Sequence, residues 1–253
     1  TVLFPGGAGA LMEGTFYLTT NDTLRILVGQ KGDSELTGCG GGGSFVALAN
    51  DSPLVVAGGG GGGVLDSSLV NHNGIITNTG PQGGAGDMDA GGGGGFSGDG
   101  TPTFGPPSPG SAFLNGGEGG EGSVYFIESS ITIFGGFGGG AAYFIGGGMG
   151  GQQIEPIPAF GGPLPVNMPH FGGAGGGYSG GTALGINSGP YGGGSFNSGS
   201  DQNNFEGYNR RNGVVVVNFE PSMQNDIAVT SVDSPGIYCP GMHDVVVTVQ
   251  NLG

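Results

Sequence analysis

Gly177-Tyr178-Ser179-Gly180-Gly181 has the G-x-S-x-G spacing of a nucleophile elbow. In that elbow a serine on a sharp strand-to-helix turn is raised for attack on an acyl group. A chain with 66 glycines produces this spacing by chance, and no helix-forming stretch follows it. The three histidines, His72, His170 and His243, have no obvious base or ligand partner in the sequence. Asp87, Asp89 and Asp99 lie in a stretch similar to the calcium-binding G-G-x-G-x-D repeat. Met88 stands where that repeat needs an aspartate, and the unit does not recur. A solvated loop is the first reading there, and a single weak calcium site is the alternative. No Cys/His spacing suits zinc. Lys31 is the sole lysine and sits in no Walker phosphate loop. Cys39 and Cys239 are read as independent thiols, or Cys239 as bonded beyond residue 253, in preference to a bridge between them; spacing alone does not decide. The expectation is a non-enzymatic protein with no resident cofactor.

The residues better suited to contact a partner lie in two proline-rich stretches, GDGTPTFGPPSPGSAF and GGQQIEPIPAFGGPLPVNMPHFGG. Proline fixes φ, so apolar side chains carried by such loops lose little entropy on binding. Phe104, Phe113, Phe160, Met168, His170 and Phe171 are the candidate ligand contacts. The competing reading buries the same residues as caps on the core. Asn21-Asp22-Thr23 and Asn50-Asp51-Ser52 are sequons within expected turns.

Charge and composition limit what the partner is. Four Lys+Arg against 19 Asp+Glu give a net charge of −15. Phosphate binding needs cations, so nucleic acid is excluded as a partner, and so is an anionic lipid surface. No apolar run reaches the length of a membrane-spanning helix, and no membrane insertion is expected. With 66 Gly and 16 Pro, about a third of the chain has the composition of low-complexity sequence. Fifteen Phe and seven Tyr argue against disorder, because disordered chains are poor in aromatics.

The elements that would position these residues are strands. No window carries the helical i, i+3, i+4, i+7 pattern. GTFYLTTNDTLRILVGQ predicts a hairpin about Asn21-Asp22, with Leu24, Ile26 and Val28 on a buried face. SFVALANDSPLVVAG predicts a second hairpin, and SVYFIESSITIFGG a strand pair or one long strand. NGVVVVNFEP, continuously apolar, predicts a central strand covered on both faces. Between them run Gly40–Gly43, Gly58–Gly63, Gly91–Gly95, Gly138–Gly140, Gly146–Gly148, Gly175–Gly177 and Gly192–Gly194. These recur too often to be linkers. A glycine segment can adopt the polyproline II conformation, with three residues per turn and no internal hydrogen bonds. Its backbone groups must then bond laterally to neighbours that approach closely. The glycines are therefore expected to be the core, with Gly41, Gly60, Gly93, Gly139, Gly147, Gly176 and Gly193 as structural positions.

GTFYLTTNDTLRILVGQKG, GCGGGGSFVALANDSPLVVAGGGGGG, GGAGGGYSGG and GGGSFNSGSDQNNFEGYNRRNGVVVVNF follow one another in this order. In that order they resemble the glycine-rich domain of the anaplastic lymphoma kinase and leukocyte tyrosine kinase receptors, and similar modules of bacterial surface proteins. The resemblance spans residues 5–220. It implies a tumour-necrosis-factor-like, jelly-roll-like β-sandwich with an inserted bundle of polyglycine II helices. No kinase segment is present, so signalling is not carried over. The closing NDIAVTSVDSPGIYCPGMHDVVVTVQNLG resembles the start of an immunoglobulin-like repeat of bacterial, especially Bacteroidota, surface proteins. It is far shorter than such a domain.

The expected architecture is all-β. A glycine-rich domain covers residues 1–221, and a linker with the first strands of an incomplete Ig-like domain covers 222–253. The expected function is adhesion or ligand display at the cell surface, within a large secreted bacterial protein. A gliding-type adhesin exported by the type IX secretion system is one home for it. A structural spacer or filament subunit, and an accessory domain of a cell-surface enzyme, are the alternatives. Expected partners are a surface glycan or protein, together with neighbouring Ig-like domains or a strand-donating chain.

Overall fold

The structure, a computed structural model, describes residues 6–33, 38–63, 72–78, 83–86, 90–101, 108–126, 129–140, 143–145, 172–183, 190–219, 227–233 and 246–251. These residues are all-β: strands, a 3-10 turn at Phe113–Asn115, and no α-helix.

The β-branched and aromatic runs supply the strands, as their propensity requires. β1 (Gly9–Thr15) pairs antiparallel with β9 (Ser200–Asn209). A four-stranded antiparallel sheet has the order β2 (Leu24–Leu27), β3 (Ser44–Leu48), β4 (Pro53–Ala57), β8 (Phe196–Asn197). In a third sheet β5 (Glu121–Phe126) lies between β6 (Ser129–Phe134), antiparallel, and β7 (Tyr143–Ile145), parallel. β10 (Ile227–Asp233) and β11 (Val246–Asn251) pair with each other, antiparallel.

The hairpin expected over 44–57 is β3–β4, and the pair expected over 123–134 is β5–β6. The hairpin expected over 14–30 does not form. β1 ends at Thr15 and bonds to β9 instead, while β2 bonds to β3. Turn chemistry at Asn21-Asp22 is satisfied locally, since Asp22 Oδ2 accepts from Thr19 N at 2.7 Å, but pairing is decided by distant strands. Within β2 Leu27 is the buried residue and Leu24 and Ile26 are half-buried, while Val28, just past the strand, is exposed. The run Val214–Val217 is no central strand. Val214 is 74% and Val216 73% exposed, and residues 213–219 join no sheet. An apolar run reads as doubly covered only when layers close on both sides of it, and here no described strand pairs with it.

The glycine segments form a lattice of laterally bonded backbones. Gly172–Gly177 lies at its centre. Gly173 N donates to Gly38 O and Gly176 N to Gly41 O, three residues on in both segments. Ala174 N donates to Gly91 O and Gly177 N to Gly94 O, with the same step. On another side Gly59 N and Gly62 N donate to Gly176 O and Gly173 O, again at a step of three but running the other way. Gly140, Gly181 and Tyr191 bond to further positions of the segment. Strand ladders repeat every two residues; these bonds repeat every three. Close approach makes glycine obligatory at most of the expected positions. A Cβ at Gly60 would lie 2.3 Å from Gly7 O, at Gly93 2.0 Å from Gly175 O, and at Gly193 2.1 Å from Gly176 O. At Gly139 it would meet Gly40 O at 2.3 Å, and at Gly176 the carbonyl carbon of Gly138 at 2.7 Å. Gly41 is the exception, since its Cβ would find nothing nearer than Gly60 O at 3.4 Å. Gly147 lies outside the described residues.

Several glycine runs exit into an aromatic residue: Gly43-Ser44-Phe45, Gly95-Phe96, Gly177-Tyr178 and Gly194-Ser195-Phe196. Their rings meet in one layer with Phe113. Phe45 stacks on Phe113 at 4.9 Å, Phe113 on Phe96 at 5.2 Å, and Tyr178 on Phe196 at 4.6 Å between centroids. Leu27, Ala47 and Val56 complete this apolar cluster. The Arg25 guanidinium lies over the Phe113 ring at 5.2 Å and pairs with Asp51.

Candidate functional site

One surface of the glycine lattice opens into a trough of about 420 Å³, within the range of small-ligand sites. Its floor is Gly58–Gly63, and its walls come from residues within the segments 6–12 (other than Ala8), 30–32 and 38–42 (other than Gly40). Its rim comes from the end of β9: Tyr208, Asn209, Arg210, Arg211 and Gly213.

The rim is built by a bulge and an asparagine-pinned turn. Register along β1–β9 is shifted: Leu11 faces Phe205 but Gly9 faces Asn209, so β9 carries the excess residues. Gly207 absorbs them at φ 61°, a conformation open chiefly to glycine. The strand is re-aimed there, and Tyr208 is left 66% exposed. In Asn209-Arg210-Arg211-Asn212-Gly213, Asn209 Oδ1 accepts from Arg211 N at 2.9 Å and Asn209 Nδ2 donates to Asn212 O at 2.8 Å. Asn212 Oδ1 accepts from Lys31 N at 3.0 Å, and Gly213 N donates to Gly29 O at 2.7 Å. These bonds tie the turn to the segment carrying Lys31. Arg210 donates to Gly6 O at 2.7 Å and holds the opposite wall.

Electrostatics set the trough apart. Lys31, Arg210 and Arg211 line it, three of the four Lys+Arg in the chain, whereas none of the 19 Asp+Glu is among its described lining residues. The floor adds backbone polarity. Gly58, Gly59, Gly61 and Gly62 donate to Ser195 Oγ, Gly176 O, His72 O and Gly173 O, while the Gly60 N–H donates to no described residue. A buried N–H without a partner is uncommon and directs attention to what could meet it.

The candidate contacts read from sequence are not gathered here. Phe113 is 1% exposed at the centre of the aromatic layer, so it is a core residue and not a ligand contact. The reason is its position at the end of its loop: Ala112 N donates to Asp99 Oδ1 at 2.6 Å and Phe113 N to Gly95 O, which turns the ring inward. Phe104, Phe160, Met168, His170 and Phe171 lie outside the described residues, as do Asp87 and Asp89. Asp99 acts as a loop clamp, its Oδ1 also accepting from Asn115 Nδ2 at 3.0 Å. Ser179 is 3% exposed, beneath the neighbouring Gly194, with no helix after it among the described residues. His72 is 6% exposed and donates from Nδ1 to Pro190 O at 2.8 Å. Cys39 is buried, and Cys239, His170 and His243 lie outside the described residues. Both sequon asparagines stand exposed in turns. No helix among the described residues is long and apolar enough to cross a membrane.

Sequence reading missed the rim. The signal was Asn-Arg-Arg-Asn-Gly, half of all the cations in one asparagine-flanked turn, in a chain of net charge −15. No protein-family model matches the chain, and no curated protein is significantly similar to it.

Proposed function

We propose that this chain is a non-enzymatic extracellular surface module that displays a ligand-binding face for adhesion, within a large secreted bacterial protein of the gliding-adhesin kind. Its glycine segments are read as polyglycine II helices set into a tumour-necrosis-factor-like sandwich. The segment after residue 221 is read as the opening of an Ig-like repeat. The observation that carries the reading is the three-residue hydrogen-bond step between Gly172–Gly177 and its neighbours. Three residues per turn is the period of that helix, and it differs from that of a strand. A lattice of this kind fixes backbone against backbone and leaves side chains only at its edges and in its loops. Rigid presentation of edges and loops suits display, because little entropy is lost when a partner docks.

A structural or assembly subunit is the second reading. It is favoured by residues 213–219, in no sheet and with Val214, Val216, Val217 and Phe219 exposed, which another chain could pair by strand addition.

The test is binding of the full chain to cells, polysaccharides and abiotic surfaces. It is compared with a variant in which residues 102–107 and 152–171 are replaced by short Gly/Ser linkers, at matched thermal stability. Display predicts binding by the unaltered chain. Failure to bind any of these surfaces, together with concentration-dependent self-association, would contradict it and favour the assembly subunit.

A further inference from the structure

We propose that the trough binds a glycan carrying isolated carboxylates, such as a uronic acid flanked by neutral sugars. The inference deepens the display reading above and rests on it for the source of the ligand. Three observations carry it. The first is charge sorting: Lys31, Arg210 and Arg211 line one cavity whose described lining has no carboxylate, in a chain with 19 Asp+Glu. Arginine presents a planar fork of donors that matches a carboxylate. The second is the floor. Gly58, Gly59, Gly61 and Gly62 spend their N–H groups inside the lattice, and of these five floor glycines Gly60 alone has an N–H that donates to no described residue and is left for an acceptor. One such N–H suits one hydroxyl oxygen of a sugar. The third is Tyr208, exposed at the rim beside the arginines, an amphipathic ring able to lie against a sugar face.

The net charge of −15 decides the type of anion. At long range it repels a polyanion. Screening limits that repulsion to about 8–10 Å at physiological salt. A ligand with one carboxylate between neutral units meets the local cations without bringing dense charge near the rest of the surface. A heavily sulfated chain or a nucleic acid does not.

The experiment is titration calorimetry of the full chain with hyaluronan oligosaccharides, in which acidic and neutral sugars alternate. The controls are the same oligosaccharides with carboxyls reduced to alcohols, heparin, and poly-glutamate. The variants are R211Q and R210Q/R211Q, each compared with the parent chain by thermal melting. The expected result is binding of hyaluronan, loss on carboxyl reduction, and weaker binding of heparin and poly-glutamate. Affinity should fall at least about tenfold in the double variant, the size of a single lost charge-assisted contact. R211Q matters most for interpretation, because Arg210 also holds Gly6 O. Unchanged affinity in R211Q and the double variant, equal binding of the reduced oligosaccharide, or tighter binding of poly-glutamate would each overturn the proposal. Cell-surface binding that survives in the double variant would sink the trough as the site and leave the display reading standing. No binding to any surface by the parent chain would sink both.

Discussion

At the scale of single residues, the glycines are distinguishable from one another. Gly60 and Gly41 both looked structural in the sequence, yet the room for a Cβ differs, 2.3 Å to Gly7 O against 3.4 Å to Gly60 O. Gly60→Ala forces backbone against backbone and should cost at least about 3 kcal/mol, the upper end of overpacking effects. That corresponds to a fall in Tm of roughly 6 °C or more for a chain of this size. Gly41→Ala should be neutral, or stabilising by up to about 1 kcal/mol, through the unfolded state. Thermal melts of the two variants side by side check both. Phe113→Ala should destabilise by about 3–5 kcal/mol, as for other buried aromatics, in denaturant titrations. Ser195 is buried and bridges two segments: its Oγ accepts from Gly58 N at 2.9 Å and donates to Ile75 O at 2.6 Å. Ser195→Ala leaves both groups unmet and should cost about 1–3 kcal/mol in the same titration.

At the scale of elements, some of the structure was legible and some was not. Local signals sufficed where partners are neighbours in sequence. Alternating β-formers about Asn50-Asp51-Ser52-Pro53 made β3–β4, and the same logic made β5–β6. Local signals failed where the partner is far away. β1 lies beside β9, a separation no turn residue announces, so the expected hairpin at Asn21-Asp22 was dissolved by a distant strand. Val214–Val217 was misread for a related reason, since hydrophobicity reports a preference for burial and not whether a covering layer is available. Here Val214 and Val216 face solvent. V214T/V216T should therefore change stability by no more than about 0.5 kcal/mol, as at ordinary surface positions. A doubly covered strand would lose several times that, and a urea titration separates the two. Of the candidate site, the contact residues were sought among prolines and aromatics. The cation-lined trough was missed because Lys31 and the Arg210-Arg211 pair are brought together only by the bonds of Asn212 and Gly213 to the segment 29–31. What was legible was the imbalance itself, two of four cations adjacent in an acidic chain.

At the scale of the whole molecule, order comes from two arrangements in series. Segments without side chains pack by backbone hydrogen bonds, and their ends run into a layer of stacked rings that supplies the apolar burial. Ordering glycine is entropically expensive, so the lattice persists only if its bonds break together. Cooperative units of this kind exchange their amide hydrogens near the global unfolding free energy, whereas exposed unpaired segments exchange freely. Amide hydrogen exchange followed by NMR is therefore the most direct test that the glycines are the core. The account predicts strong protection at Gly59, Gly62, Gly173, Gly176 and Gly177, with fast exchange at Val214, Val216 and Val217. Glycine amides that exchange as fast as those valines would contradict it, and would return the glycine runs to the role of linkers.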